Sequence, residues 1–192
     1  MTEIAIIRHG ETDWNAVGRM QGQRDIELNH NGINQAISLA KRLSDERWDA
    51  IYSSDLLRAA VTADKLAGTS GKPEVHRDIR LRERNFGQIE GTTLEDRIVQ
   101  YGERWIELEL GVETDADLSA RATDFLSDVI RDYPEGKIVV VTHGGWIMQL
   151  FHSLFPGQYT EKPGNTSLSY LQYTGEGWRC ERYNCTEHLL TS

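Results

Sequence analysis

The chain reads as an α/β protein, a three-layer α/β/α arrangement around a mainly parallel central sheet. Two observations predict this class. Short apolar runs of strand length alternate with stretches whose apolar residues recur at helical spacing. Two of these runs, Ile4-Ala5-Ile6-Ile7 and Ile138-Val139-Val140-Val141, are apolar throughout, as expected of strands covered on both faces. Each leads into a histidine followed by glycine, in Arg8-His9-Gly10 and in Thr142-His143-Gly144-Gly145. Ligands of open α/β sheets bind beyond the carboxyl ends of the strands. If the two strands are neighbours, two imidazoles and an arginine meet at one place.

The elements follow in order. After the first strand, Asn29 to Gly32 opens a helix with Ile33, Ala36, Ile37, Ala40 and Leu43 on one face. Trp48 to Ser53 reads as the second strand. Asp55 stands where it would cap the next helix, whose Leu56, Ala59, Ala60, Ala63 and Leu66 share a face. Gly68 to Pro73 is rich in turn residues, and a short strand is expected around Val75. An irregular charged segment follows from Arg80 to Gly87. Thr92-Thr93-Leu94-Glu95 has the form of a capping box and opens a helix toward Tyr101. A longer amphipathic helix spans about Asp117 to Tyr133, with Leu118, Ala122, Phe125, Leu126, Val129 and Ile130 turned inward. Lys137 to Thr142 is a strand, and Gly145 to Phe155 a buried helix. Leu168–Tyr173 and Trp178–Tyr183 close the chain as a hairpin. No repeat and no linker interrupts residues 1–192, so one domain is expected.

Composition narrows the function classes. The chain has 192 residues, enough for one sizeable core, and its net charge is −9. No Lys/Arg-rich run is present, which argues against a nucleic-acid partner. No apolar stretch is long enough to span a bilayer. Cys180 and Cys185 are spaced to point to opposite faces of a strand, so no disulfide and a cytoplasmic setting are expected. A second copy of the chain is a candidate partner, through the hairpin or an apolar helix.

An arginine beside two histidines is a poor core and a good oxyanion pocket, which points to phosphoryl chemistry. A neutral imidazole such as His9 is a competent nucleophile near pH 7 without a metal. Arg8 offers a rigid fork of donors for phosphate, and His143, if cationic, adds charge opposite the nucleophile. Arg58 falls one helical turn after Asp55, near the same sheet edge. Taken alone, each histidine reads as a structural residue, Arg58 as a solvated helix-surface cation, and Glu83, among Arg80, Arg82 and Arg84, as a surface ion-pair residue.

Several separated motifs, in order, resemble the histidine phosphatase superfamily, which includes the cofactor-dependent phosphoglycerate mutases. They are Arg8-His9-Gly10-Glu11-Thr12 with Asn15, Gly18-Arg19-Met20-Gln21-Gly22, Tyr52-Ser53-Ser54-Asp55-Leu56-Leu57-Arg58, Leu81-Arg82-Glu83 leading to Phe86-Gly87 and Glu90-Gly91, and Val141-Thr142-His143-Gly144-Gly145. The resemblance implies a phosphoglycerate mutase-like fold. It implies that His9 becomes a phosphohistidine and that Arg8, Arg58, His143, Asn15 and Gln21 bind the phosphate. It also makes Glu83 the proton donor, a role that the residues alone do not justify. The expected activity is hydrolysis of a small phosphorylated metabolite, with no cofactor and no metal.

The alternative is a phosphoglycerate mutase that uses 2,3-bisphosphoglycerate. Mutases of the family carry an added basic segment after the Glu-Gly motif, whereas here Glu103 to Asp117 is acidic. Gln21 also resembles the phosphatase branch. A non-catalytic phosphate-binding protein would be expected to lack the nucleophile or the acid. A metalloenzyme finds no support, because the histidines show no short ligand spacing. The pocket walls are expected from Trp14, Gln21 to Arg24, Asn85-Phe86 and a helical lid at about 92–118, with Trp105, Ile106, Leu108 and Leu110 as candidate apolar contacts.

Overall fold

The alternation of apolar runs and amphipathic helices becomes one six-stranded sheet in the computed structural model, which describes residues 1–68 and 73–190. In chain order the elements are β1 (Thr2–Arg8), the single turn α1 (Asp13–Ala16), α2 (His30–Arg42), β2 (Ala50–Ser53), α3 (Leu57–Ala67), β3 (Val75–Arg77), α4 (Leu94–Tyr101), α5 (Asp115–Asp132), β4 (Lys137–Thr142), α6 (Gly144–Leu154), β5 (Leu168–Tyr173) and β6 (Trp178–Cys185). Short 3-10 turns lie at Ile79–Leu81, Gly87–Ile89, Trp105–Glu107 and Glu187–Leu189.

The sheet order is β3-β2-β4-β1-β5-β6. The first four strands in that order run parallel, and β5 joins β1 antiparallel before turning back into β6. The central pair β1 and β4 is in register from Glu3↔Lys137 to Arg8↔Thr142. Side chains alternate across a strand, and each face of this pair has its own cover. Ile4, Ile6, Ile138 and Val140 pack with Leu118, Phe125, Trp146 and Phe151 of α5 and α6. Ala5, Ile7, Val139 and Val141 pack with Leu39, Ala59, Ala63 and Leu66 of α2 and α3. Each large side chain so buried stabilises the fold by about 1.5–3 kcal/mol. No helix among the described residues is long and apolar enough to cross a membrane.

Several local expectations shift. Asp55 does not cap α3: Leu56 holds the cap position without a side-chain bond, and Asp25 from a distant loop accepts the Leu57 N–H at 2.7 Å. Asp55 instead receives Arg82 Nε at 2.7 Å. The capping box of α4 lies one residue later than its sequence form, between Thr93 and Asp96. The buried face of α2 is Gly32, Ala36 and Leu39, with Leu43 at its end, while Ile37 is exposed. Leu39 reaches the sheet, so the stripe is rotated from the one expected. α6 is not buried all round, since Met148, His152 and Ser153 are exposed. The region from 92 to 118 is helical only in α4, the turn at Trp105–Glu107 and the start of α5. The turn-rich stretch from Gly68 to Pro73 falls largely outside the described residues. Both cysteines are free thiols.

The start of α2 lies backbone to backbone against the loop after β1. A Cβ on Gly10 would sit 2.5 Å from Gly32 O, and one on Gly32 would overlap the Glu11 carbonyl. Only glycine permits that approach. Gly32→Ala is expected to destabilise the protein by about 1–3 kcal/mol and to lower Tm by several degrees. An unchanged Tm in a thermal melt would show that this contact does not constrain the loop.

Candidate active site

The β1/β4 register sets the site. His9 is the first residue beyond β1, and its N–H donates to Thr142 O at 3.0 Å. The His9 and His143 rings therefore stand side by side, with centroids 5.1 Å apart and planes inclined at 57°. Arg8, His9, Arg58 and His143 are all buried. Arg8 NH1 donates to Pro163 O at 2.8 Å, and Arg58 donates to Arg24 O and Gly22 O at 2.8 and 2.7 Å. Among the described residues, Arg8 Nε, Arg58 Nε and both ring nitrogens of His143 nevertheless have no partner. A buried polar group left unpaired costs about 1–3 kcal/mol. Several at one strand-end crevice form a cradle with unused donors, suited to an oxyanion.

The tautomer of His9 follows from geometry. Its Nδ1 lies 2.6 Å from Gly10 O, which can only accept, so Nδ1 carries the proton and Nε2 keeps its lone pair. Burial, then Arg58 and Arg8, holds His9 well below its usual imidazole range, against an opposing contribution from the Gly10 bond. The ring is therefore neutral, with its Nε2 lone pair available. Burial, then Arg58, His9 and Arg8, does the same to His143. The cationic His143 considered from sequence is thus not the form that burial beside Arg58 and Arg8 favours; a phosphate dianion next to it would favour the cation. Burial also pushes Arg58 down to about 10, with Glu83 and Asp25 opposing.

The two amides have their oxygens occupied on one side. Asn15 Oδ1 accepts from Thr12 N at 3.2 Å and Asn165 Nδ2 at 3.2 Å, and Gln21 Oε1 lies 3.0 Å from the Thr12 hydroxyl. Both residues line the pocket, and their amide N–H groups remain as its donors.

Glu83 is placed without regular secondary structure of its own. Its Oε1 accepts from Arg84 N at 2.8 Å and Trp146 N at 3.1 Å, and Oε2 accepts from Gly145 N at 3.1 Å. The carboxylate therefore sits on the N-terminus of α6, directly after His143. A Cβ on Gly145 would lie 2.5 Å from Glu83 Oε1 and would push the carboxylate from this position. The arginines that flank it in sequence point elsewhere. Arg80 reaches Asp78, Asp124 and Asp128, Arg82 reaches Asp55, and Arg84 reaches Asp115. The surface ion-pair reading describes its neighbours and not Glu83.

The pocket encloses about 230 Å³. Arg8, His9, Arg58 and Glu83 line it, and His143 lies buried behind while Gly144 and Gly145 form the wall. Of the walls expected from sequence, Trp14, Gln21, Gly22 and Phe86 are present. Trp105, Ile106, Leu108 and Leu110 instead line an adjoining apolar groove that shares Met20 and Phe86 with the pocket. Sequence reasoning missed the 162–165 loop, where Lys162 lines the mouth and Asn165 Nδ2 donates to His9 O at 3.1 Å. Its signal was topological: a strand antiparallel to β1 begins where β1 ends.

The family model of the histidine phosphatase superfamily (branch 1) matches residues 4–186. The chain belongs to the histidine phosphatase superfamily. It is 33% identical to the metal-independent phosphoserine phosphatase of Arabidopsis thaliana, over 98% of this chain and 84% of that protein. It is 35% identical to a probable phosphoglycerate mutase of Serratia proteamaculans, over 100% of this chain and 96% of the other. Among solved structures it resembles the phosphoserine phosphatase of Entamoeba histolytica in complex with phosphoserine, with TM-score 0.84 and 33% identity, covering 98% of this chain and all of that one. The phosphoglycerate mutase-like α/β fold of this histidine phosphatase is thereby established.

The buried histidines make its stability depend on pH. His9 and His143 titrate well below the ordinary value of 6.5, and burial with Arg42 lowers His188 to about 4. The unfolded chain binds these protons first, so the stability they carry is intact above about pH 6.5 and is lost as pH falls toward the depressed values. Each group contributes at most about 1.4 kcal/mol per pH unit. Urea unfolding is expected to give a clearly lower stability at pH 5.5 than at pH 7.5, and His143→Asn should flatten the difference. Equal stabilities at the two pH values would contradict the neutral, desolvated imidazoles.

Proposed function

We propose that the site hydrolyses small phosphomonoesters through a phosphohistidine on His9, with no metal. The observation that carries this reading is the set of buried polar groups on Arg8, Arg58 and His143, unpartnered among the described residues, beside a histidine whose Nε2 lone pair is free. In the first step Nε2 attacks phosphorus and the P–O bond to the leaving group breaks. Arg8, Arg58, His143, Asn15 and Gln21 hold the phosphoryl oxygens, and the Glu83 carboxyl passes a proton to the departing alkoxide. In the second step water attacks phosphorus, Glu83 takes a proton from it, and the P–N bond breaks. Inorganic phosphate leaves and His9 is neutral again.

The mutase alternative has less support. It needs cations for a second phosphate from the region after Gly91. There, Arg97 stacks on Trp105 and bonds Thr92 O, and Arg104 pairs with Glu107. Neither lines the pocket. The relatives named phosphoserine phosphatase favour hydrolysis, and phosphoserine is a candidate substrate here. The apolar groove along 105–112 is the part of the expected lid that we place over bulkier leaving groups. The free thiols of Cys180 and Cys185 suit the cytoplasmic setting expected from the sequence.

His9→Ala is expected to abolish phosphate release from phosphoserine and from 4-nitrophenyl phosphate. Arg58→Ala should lower kcat roughly a hundredfold, the cost of one preorganised oxyanion donor. Glu83→Gln separates acid catalysis from binding. Its kcat should fall about 10²–10⁴-fold for an alkyl phosphate and much less for 4-nitrophenyl phosphate, whose phenolate leaves unaided. A His9→Ala protein as active as the parent ends the covalent mechanism. Interconversion of 3- and 2-phosphoglycerate faster than phosphate release would favour the mutase.

A further inference from the structure

The pocket has a deep end that the phosphate chemistry uses and a mouth that it does not. The mouth is walled by Trp14, Met20, Phe86 and Met148, which are apolar, and by the cations Arg19 and Lys162. Arg19 is already engaged: it bonds Gly91 O and Asp96 and lies over the Trp14 ring. Lys162 is exposed, and among the described residues its ammonium has no carboxylate within ion-pair distance.

Its backbone, by contrast, is held from several sides. Pro163 O receives Arg8 NH1 at 2.8 Å, Glu161 O receives the Tyr183 hydroxyl at 2.6 Å, and Gly164 N donates to Asn184 Oδ1 at 2.8 Å. An anchored backbone keeps the uncommitted side chain within reach of the mouth, and pairing must exceed the cost of ordering its flexible four-carbon stem. Glu83 is the one acidic side chain in the pocket lining, and its carboxylate is occupied by the α6 N-terminus. A cationic leaving group finds no uncommitted carboxylate in this lining, whereas an anionic one finds the Lys162 ammonium. In a protein of net charge −9, a leaving-group anion also needs such a local cation to be admitted.

We infer that Lys162 selects the substrate by pairing with a carboxylate on the leaving group, so that the preferred substrates are phosphate monoesters of small hydroxy acids. This rests on the phosphatase reading above. Lys162 acts in binding and takes no part in the proton or phosphoryl transfers.

The test compares 3-phosphoglycerate with glycerol 1-phosphate, which has the same carbon count and lacks the carboxylate, and uses 4-nitrophenyl phosphate to report phosphatase activity. The parent is expected to prefer 3-phosphoglycerate in kcat/KM. In Lys162→Ala the ratio of the two kcat/KM values should fall about tenfold, because the carboxylate substrate binds more weakly while its kcat holds. Lys162→Arg should restore the ratio, Lys162→Glu should lower it further, and phosphoethanolamine should gain in Lys162→Glu. A ratio unchanged in Lys162→Ala and Lys162→Glu overturns the assignment. A parent that releases no phosphate from any of these esters, 4-nitrophenyl phosphate included, overturns the phosphatase reading itself, and the two failures cannot be confused.

Discussion

The parallel pairing of β1 with β4 is the constraint from which the site follows. Strand pairing fixes which residues share a face and which end together. With Arg8 opposite Thr142, the next residue of each strand is a histidine, and both leave the sheet at the same crevice. A slip of one residue would turn Ile4 and Ile6 toward α2 and α3 and would separate the two rings by a strand step. The cores on the two faces resist that slip, because they match different residues: Phe125 and Trp146 against one set, Leu39 and Ala59 against the other. Apolar packing on both faces thus determines a polar geometry at the edge.

The edge itself is electrostatically costly. Two guanidiniums and two imidazoles are desolvated together, and burial is the largest influence on each of their proton affinities. The fold offsets this with backbone carbonyls. Pro163, Gly22 and Arg24 each turn a carbonyl onto Arg8 or Arg58, and these bonds stiffen the loops that form the pocket wall. What remains unpaired among the described residues is the Nε of each guanidinium and the His143 ring. An anion that binds there gains interactions without reorganising the protein, which is the condition for strong transition-state stabilisation.

The fold was largely legible because its signals are local. Apolar runs marked β1 and β4, helical spacing marked α3 and α5, and the hairpin needed only its turn. Local rules failed where a tertiary partner replaced them. Asp55 has the right residue type and position for a cap, yet Asp25 supplies the bond to α3 and Asp55 turns to Arg82. In α2, residue types alone could not set the rotation of the helix about its axis. At the site, His9, Arg8 and His143 announced themselves as strand-end residues. Arg58 and Glu83 did not, since each resembles a surface charge until the chain buries it or seats it on a helix terminus. Asn165 and Lys162 were silent because an antiparallel pairing far along the sequence brings them to β1.

Glu83 shows how a residue outside any regular element is still positioned. Arg121, on α5, donates to the carbonyls of Arg80, Arg82 and Glu83 at 2.7, 2.6 and 3.1 Å. Its remaining capacity goes to Glu113, at 2.7 and 3.0 Å, so the guanidinium is itself held in place. Trp146 Nε1 adds a bond to Arg80 O at 2.9 Å. One planar cation therefore does for the 80–83 backbone what a strand neighbour does elsewhere, satisfying successive carbonyls from one side. The arginines of the segment, each drawn outward to an aspartate, keep their own charge away from the Glu83 carboxylate. The charge-dense stretch that looked like a solvated surface is the frame that holds a carboxylate against the N-terminus of α6, in the pocket that His9 also lines.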